Sequence, residues 1–460
     1  MTTVQMTYPG HFRAILTLGL PLIGGHLGQV AIGVTDTVML GWYSVEALAA
    51  VTLASTYFFV FFIFGSGFAA AVMPMVASFA AEEDDVSIRR ATRMALWLSL
   101  AFGIATLPLM IWSEPILRLL GQGEAVAVTA GAYLAVAGWG ILPALLVMVL
   151  KSYLAALERT QVVFWITIIA AVVNVLANYA FIFGNWGAPE LGAVGAAIAS
   201  LCTQIVSLIA VVLYILVVVP QHQLFVRLWR SDWHMLKRVF NLGWPIGLTI
   251  LSEVGLFAAS AVMMGWLGTV PLAAHGIAVQ LTSLTFMLHL GLSNVATIRA
   301  GNAMGRRDPA HLGRGALVVT VMSVTIALLT ITWFIGWPES LISLFMQRDE
   351  PARADILKVG AGLLIMAGLF QLVDGAQAIA LGLLRGMQDT RVPMLIAAFS
   401  YWVIGVPCSY LLGFPMGLEG IGVWAGLGIG LGVAALLLNW RFWRVALSDV
   451  QQPQTAVAEG

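Results

Sequence analysis

Three carboxylates in this chain sit where a lipid bilayer would leave them without water. Asp36, Glu253 and Asp374 each lie inside a long apolar stretch, spanning Gly28 to Leu40, Pro245 to Phe257 and Leu369 to Gln377. The other residues among the 22 Lys and Arg and 22 Asp and Glu can be placed outside a bilayer. A carboxylate at the centre of a membrane helix costs about 2.5–3.5 kcal/mol on insertion scales. The same stretches hold no Lys or Arg to act as counter-ion. The missing partner is then a cation from solution, and the chemistry is reversible binding of a proton, a metal ion or an organic cation. The class of protein this implies is a cation-coupled transporter.

The neighbours of these acids are polar and regularly spaced. Gln29 precedes Asp36 by seven residues, two helical turns, so both point to one face. Asn174 and Asn178 form an i,i+4 pair in another apolar run. Two amides on one face need partners, because lipid offers none. Packed against the first helix, they could supply oxygens to Na⁺ beside Asp36 or hydrogen bonds to its protonated form. The plainer role is interhelical polar glue, worth about 0.6–2 kcal/mol per contact. Gln371, Asp374 and Gln377 recur every three residues as one polar stripe, and Glu253 stands eight residues after Pro245. If Glu253 and Asp374 share a cavity, their repulsion favours a bound cation or a shared proton, whether for function or for packing. Pro21 and Pro245 each precede a polar centre and permit a bend, which serves either as a hinge or as a static kink. His275 and His289 lie in one span and are candidates for function or for hydrogen-bonded packing.

The elements that must position these groups are membrane helices. The chain is 60% hydrophobic and 10% charged, against roughly 25% charged in a soluble domain. Its 460 residues divide into twelve apolar runs, near 14–40, 47–75, 94–113, 126–150, 162–184, 192–218, 240–266, 271–298, 315–336, 359–384, 393–413 and 420–440. Several exceed the roughly 20 residues needed to cross, so tilted or bent helices are expected. The runs do not alternate in polarity, which disfavours a β-barrel. With both termini cytoplasmic, 18 of the 22 Lys and Arg fall inside and only Arg118, Arg348, Arg353 and Lys358 outside. The positive-inside rule selects that orientation. The N-terminus lacks signal-peptide features, so the first run is read as the first span. Cys202 and Cys408 sit in separate spans and read as packing residues.

A repeat organises the spans. An offset of 224 residues aligns Leu18-Gly19-Leu20-Pro21 with Leu242-Gly243-Trp244-Pro245, then Met39-Leu40-Gly41-Trp42 with Met263-Met264-Gly265-Trp266. Gly67 meets Gly291 and Arg90 meets Arg314. Six spans per half make the repeats parallel, with sites expected at or near the interface between halves. The expected division is an N-lobe over 1–225, a C-lobe over 226–445 and a flexible cytoplasmic tail over 446–460. The carboxylates are not duplicated: Asp36 faces Ser260, and Glu253 faces Gln29.

Motifs of soluble enzymes are absent: there is no Walker A loop, zinc-ligand spacing or nucleophile elbow. No enzymatic activity and no cofactor are expected, and transport must draw on an ion gradient. The string Gly426, Gly428, Gly430, Gly432 has no strand before it and reads as close helix packing.

Taken in order, these residues resemble the multidrug and toxic compound extrusion (MATE) family, in its NorM branch. The resemblance covers essentially the whole chain and rests on Pro21 with Asp36, Asn174 with Asn178, and Pro245 with Glu253. Leu272-Ala-Ala-His275, Asp374-Gly-Ala-Gln377 and Leu384-Arg-Gly-Met-Gln-Asp389-Thr390 complete it. It implies an all-α membrane protein with two six-helix lobes around a central cleft, working as a monomer in a bacterial inner membrane. It implies export of cationic, amphipathic drug-like compounds in exchange for Na⁺ or H⁺, with membrane lipid as surroundings and no nucleic-acid partner. By the same resemblance, Asp36, Asn174 and Asn178 form a cation site, with Na⁺ as the candidate metal ion. Glu253 and Asp374 serve cation and substrate, and Gln29, Asp36 and Gln371 join the substrate contacts. Some relatives carry a second acid where Asn178 stands, so the amide leaves Na⁺ and H⁺ coupling both open. The alternative is a lipid-linked oligosaccharide flippase of the same superfamily, which the lack of cavity Arg or Lys disfavours. A non-transporting receptor or scaffold fits unpaired membrane acids poorly.

Overall fold

The computed structural model describes residues 6–347 and 351–451. Arg348 and the end of the expected tail, 452–460, lie outside the described residues. Among those described, every regular element is helical. Twelve helices are long and apolar enough to cross a membrane. They are α1 Tyr8–Tyr43, α2 Val45–Ala81, α3 Asp85–Ile111, α4 Glu124–Ala156, α5 Thr160–Phe183 and α6 Gly192–Val218. The second six are α7 Trp233–Leu267, α8 Thr269–Arg306, α9 Pro309–Gly336, α10 Arg353–Gly386, α11 Arg391–Gly413 and α12 Glu419–Ala446. Apolar on most sides, they satisfy their own backbone polar groups, as lipid requires.

The helices outrun the apolar segments that announce them. At 1.5 Å per residue, α1 is about 54 Å long, against a hydrocarbon core of about 30 Å. The extra turns matter at two places. α4 continues to Ala156 and carries Lys151 within it, and α10 continues to Gly386 and carries Arg385. The C-terminal end is also more ordered than the expected tail: a short helix, Leu447–Gln451, follows α12. Phe442 and Leu447 are buried there, which is why the segment holds a helix instead of fraying.

Duplicated sequence folds into duplicated turns. Glu83 after α2 and Arg307 after α8 both adopt left-handed backbone, at φ 58° and 53°. The following residues, Asp84 and Asp308, each accept a hydrogen bond at 2.9 Å from a backbone N–H three positions on, that of Ser87 and of His311. The Ser87 bonds hold the Asp84 carboxyl below the usual carboxylate range. Glu158 and Gln388, after α4 and α10, repeat the left-handed turn at φ 62° and 61°. Such a conformation costs a non-glycine residue roughly 1–2 kcal/mol, and an aspartate cap offsets about 1 kcal/mol of it.

Two compact units emerge, one of Leu20–Gly247 and one of Met1–Gly19 with Leu248–Gly460. The expected division at 225/226 follows the repeat; the compact units instead part inside α1 and α7. Glycine contacts give the reason. In the first unit, a side chain on Gly67 of α2 would come within 2.4 Å of the Gly243 carbonyl, and one on Gly247 within 2.4 Å of the Phe64 carbonyl. The start of α7 is therefore pressed against α2. In the second unit, a side chain on Gly19 of α1 would lie 3.6 Å from Leu292 and Val295 of α8. Gly19 and Gly243 are repeat mates, so the exchange is built twice. Pro21 and Pro245 stand within two residues of the two division points.

Within the second unit, small residues bring helices together. A side chain on Gly382 of α10 would meet the Ser293 carbonyl of α8 at 2.4 Å, and one on Gly386 the Thr297 carbonyl at 2.7 Å. Ser293 and Thr297 donate hydroxyl hydrogen bonds to the carbonyls of Ala378 and Gly382, at 2.6 and 2.9 Å. Of the glycine string in α12, only alternate members make the close contact. A side chain on Gly426 would lie 2.2 Å from the Ser409 nitrogen and one on Gly430 2.6 Å from the Gly405 Cα, while Gly428 faces open space. Gly426→Ala must push α11 and α12 apart and is expected to lose about 1–3 kcal/mol. Gly428→Ala should lose none and gain up to about 1 kcal/mol from helix propensity. Thermal unfolding of the two purified variants compares them directly.

Candidate functional site

The first unit assembles one acid with two amides. Asp36 lies on α1, while Asn174 and Asn178 lie one turn apart on α5. The Asn174 Nδ2 donates to Asp36 Oδ1 at 3.0 Å and the Asn178 Nδ2 donates to the same oxygen at 2.5 Å. Asn178 Nδ2 also donates to Asn174 Oδ1 at 3.2 Å. Both asparagines are wholly buried, and Asn178 Oδ1 has no hydrogen-bond partner. The amides thus turn nitrogen toward the carboxylate, where the sequence reading had them offer oxygen to a cation or bond a protonated acid. An ionised or carbonyl oxygen is acceptor-only, so the NH₂ groups are the matching ends. Gln29 is exposed on α1, and the bonds to Asp36 come from the asparagines.

Two residues of α4 in this unit carry polar groups that the sequence alone does not single out. Tyr133 of α4 is buried within electrostatic range of Asp36, with its hydroxyl beside Ser55 and Ser200. Lys151 of α4 donates from Nζ to Thr167 Oγ1 of α5 at 2.9 Å, and His26 of α1 lies in its field. Lys151 thus lies inside a helix, one residue past the apolar run that ends at 150. The helix α4 runs six residues past its apolar run, to Ala156, and so includes the lysine.

The second unit gathers a larger polar cluster. Asp374 of α10 is buried, with Oδ1 unpartnered, and stands within electrostatic range of Glu253 of α7. Gln371 donates from Nε2 to the Thr282 carbonyl of α8 at 3.1 Å, leaving its Oε1 unpartnered. Gln377 is buried with both side-chain polar atoms unpartnered. Tyr401 of α11 is wholly buried; its hydroxyl lies beside Gln377 and in the field of both acids, yet makes no well-formed hydrogen bond. It sits in a π-helical stretch, Phe399–Gly405, a local distortion frequent at functional sites. Leaving one buried polar group unpaired costs about 1–3 kcal/mol, so a cluster of them points to a place that takes up something polar.

Arg385 also faces this cluster. Placed in a cytoplasmic loop by sequence, it lies at the end of α10 within electrostatic range of Glu253 and Tyr401. The acid pair therefore has one guanidinium near it. One such charge balances the pair only when the two acids share a proton. No local signal marks Tyr401, and the string that contains Arg385 does not give its distance from the acids, which depends on which helix faces meet.

His275 and His289 each make a side-chain hydrogen bond between helices, with His289 Nε2 left unpartnered. His275 Nδ1 accepts from Trp424 Nε1 at 3.1 Å, and His289 Nδ1 pairs with Ser323 Oγ at 2.8 Å. His289 also presses on α10, where a side chain on Gly375 would meet its ring at 2.7 Å. The glycine next to Asp374 is thus required for α8 and α10 to approach. Among the described residues no group of three or more His, Cys, Asp or Glu could hold a metal ion. The five residues expected to bind a cation fall in two sets: Asp36, Asn174 and Asn178 in one unit, Glu253 and Asp374 in the other.

Comparison with known proteins follows the same division. The MatE family model matches twice, over residues 21–180 and 245–411, so each copy begins at one of the two prolines. The "Probable multidrug resistance protein NorM" of Rhizobium meliloti (strain 1021) is 46% identical over 441 residues, covering 95% of this chain and 94% of that protein. The relative of the same name from Synechocystis sp. is 34% identical and covers 98% and 99% of the two chains. Among solved structures, an outward-facing multidrug resistance MATE family transporter superposes with a TM-score of 0.86 at 22% identity, over 98% of this chain and 99% of that one. A eukaryotic MATE transporter gives 0.84 at 17% identity, over 96% and 99%. The structures match in fold, and the sequence relatives and the doubled family model establish that this chain belongs to the MatE family of multidrug and toxic compound extrusion transporters, in its NorM branch.

Proposed function

We propose that the protein exports cationic, amphipathic compounds in exchange for Na⁺ or H⁺. The observation that carries this reading is the half-buried Asp36 held by two amides of α5. A half-turn of each amide exchanges nitrogen for oxygen, so the same three side chains suit an acceptor acid in one state and a bound Na⁺ in another. Protonation of Asp36 would use an amide oxygen as acceptor instead. Glu253, Asp374 and Gln371 supply the second cation or substrate contact, and Gln29 and Asp36 the first. Pro21 and Pro245 act as hinges where α1 and α7 leave one compact unit for the other. The protein acts as a monomer in a bacterial inner membrane with both termini in the cytoplasm. The names of the relatives support drug efflux. The flippase reading is weaker, since Arg385 beside two acids is a poor holder of a pyrophosphate.

Reconstitution tests the proposal. Proteoliposomes loaded with an ethidium-like dye should move it when a Na⁺ or a pH gradient is imposed, and the two gradients applied singly identify the coupling ion. Dye that moves under neither gradient, with flux supported by ATP or a lipid-linked sugar, overturns it.

A further inference from the structure

The unit Leu20–Gly247 carries a polar cavity lined by none of the residues assigned above to cation or substrate. It lies where the first turns of α3 meet the segment before α7, encloses about 570 Å³ and is lined by Arg89, Arg90, Arg93, Arg230, Asp232 and Trp233. Arg90 Nε donates to Asp232 Oδ2 at 2.5 Å, and that bond holds the Asp232 carboxyl below its usual range. Arg89, Arg93 and Arg230 have no acidic partner within salt-bridge distance among the described residues.

A run of arginines at the end of a membrane helix is most often a solvated face. Three observations set this one apart. Arg93 is only 7% exposed, and its Nε is buried without a partner. Arg89 and Arg230 lie in its field, so like charges gather around a buried guanidinium while Arg230 itself stays exposed. The connecting segment is pinned: Arg93 Nη2 donates to the Val226 carbonyl at 2.5 Å and Trp97 Nε1 to the Leu228 carbonyl at 2.8 Å. Beside the cavity, Trp229 and Trp233 are 78% and 72% exposed, as befits aromatic side chains at the headgroup level.

We propose that this cavity binds the phosphate of an anionic phospholipid headgroup. Guanidiniums match phosphate oxygens in pairs of hydrogen bonds, and basic pockets beside membrane helices favour anionic headgroups. Four guanidiniums against one carboxylate repel the ammonium of a zwitterionic lipid, so the phosphate must belong to a headgroup without one, such as phosphatidylglycerol. The exposed tryptophans place the pocket at the depth of that phosphate.

The test uses the purified full-length protein in detergent, with bound lipid counted by native mass spectrometry. Phosphatidylglycerol and phosphatidylcholine of equal chain length are titrated separately, and inorganic phosphate is added as competitor. Phosphatidylglycerol should bind at least about tenfold more tightly than phosphatidylcholine, and the double variant Arg89→Gln/Arg230→Gln should lose about tenfold for phosphatidylglycerol alone. Inorganic phosphate at millimolar concentration should not displace the lipid. Equal binding of the two lipids by the unaltered protein overturns the proposal whether or not the variant folds. So does an unchanged affinity in a folded variant, and complete displacement by inorganic phosphate would make the cavity a free-phosphate site instead.

Discussion

Asp36→Asn is expected to reduce gradient-driven transport to the level of empty liposomes while the protein still inserts and folds. The substitution keeps size and removes the only charge that α1 carries into the bilayer. Asn174 and Asn178 both donate to Asp36 Oδ1, and an asparagine oxygen can accept the same bonds. Folding should therefore lose no more than about 1–3 kcal/mol from weaker, neutral hydrogen bonds. The repeat supplies a matched control. Ser260 occupies the equivalent place on α7, and its hydroxyl donates to the Phe257 carbonyl of its own helix at 2.7 Å. Ser260→Ala removes one self-contained hydrogen bond and should remain largely active. Both variants are measured at equal abundance in the membrane. Full transport by Asp36→Asn would reduce the carboxylate to packing and remove the basis for cation coupling in this unit.

The second large effect concerns the acids of the other unit. Glu253→Gln and Asp374→Asn should each cut transport strongly, and the double variant should be far from additive. Two groups in one another's field act as a pair, so removing either already disables the shared site. The buried polar atoms around them sharpen the expectation: Asp374 Oδ1, both Gln377 polar atoms and the Tyr401 hydroxyl all lack partners. Binding of a fluorescent cation to the four proteins of the cycle, alongside transport, separates loss of uptake from loss of coupling. Losses that multiply independently would place the two acids in separate functions.

Arg385 shows where local reading fails. The apolar run ends just before it, and a positive charge at the edge of a span reads as a cytoplasmic anchor. The helix continues two residues further, and rotation of α10 turns the side chain toward Glu253. The same failure explains Lys151, which a run ending at 150 leaves outside and a helix ending at Ala156 carries in. Length in a hydropathy window measures where lipid is tolerated. It does not measure where a helix stops, since backbone hydrogen bonds propagate beyond the apolar residues.

The sequence by itself determined that this is a twelve-helix membrane protein, that it is duplicated, and that Asp36, Glu253 and Asp374 are its exceptional residues. These are properties of the chain read in one dimension: the cost of a charge in hydrocarbon and the length needed to cross it do not depend on which helices become neighbours. The tertiary structure decided everything that rests on orientation. It brought Asn174 and Asn178 of α5 to Asp36, chose nitrogen as the atom they present, and added Tyr133, Tyr401 and Arg385 to the two clusters. It also formed two compact units that part inside α1 and α7. Those outcomes follow from the rotation of each helix about its axis, fixed by close contacts such as Gly67 on Gly243 and Gly382 on Ser293. Such contacts join residues tens to hundreds of positions apart, and no local pattern carries them.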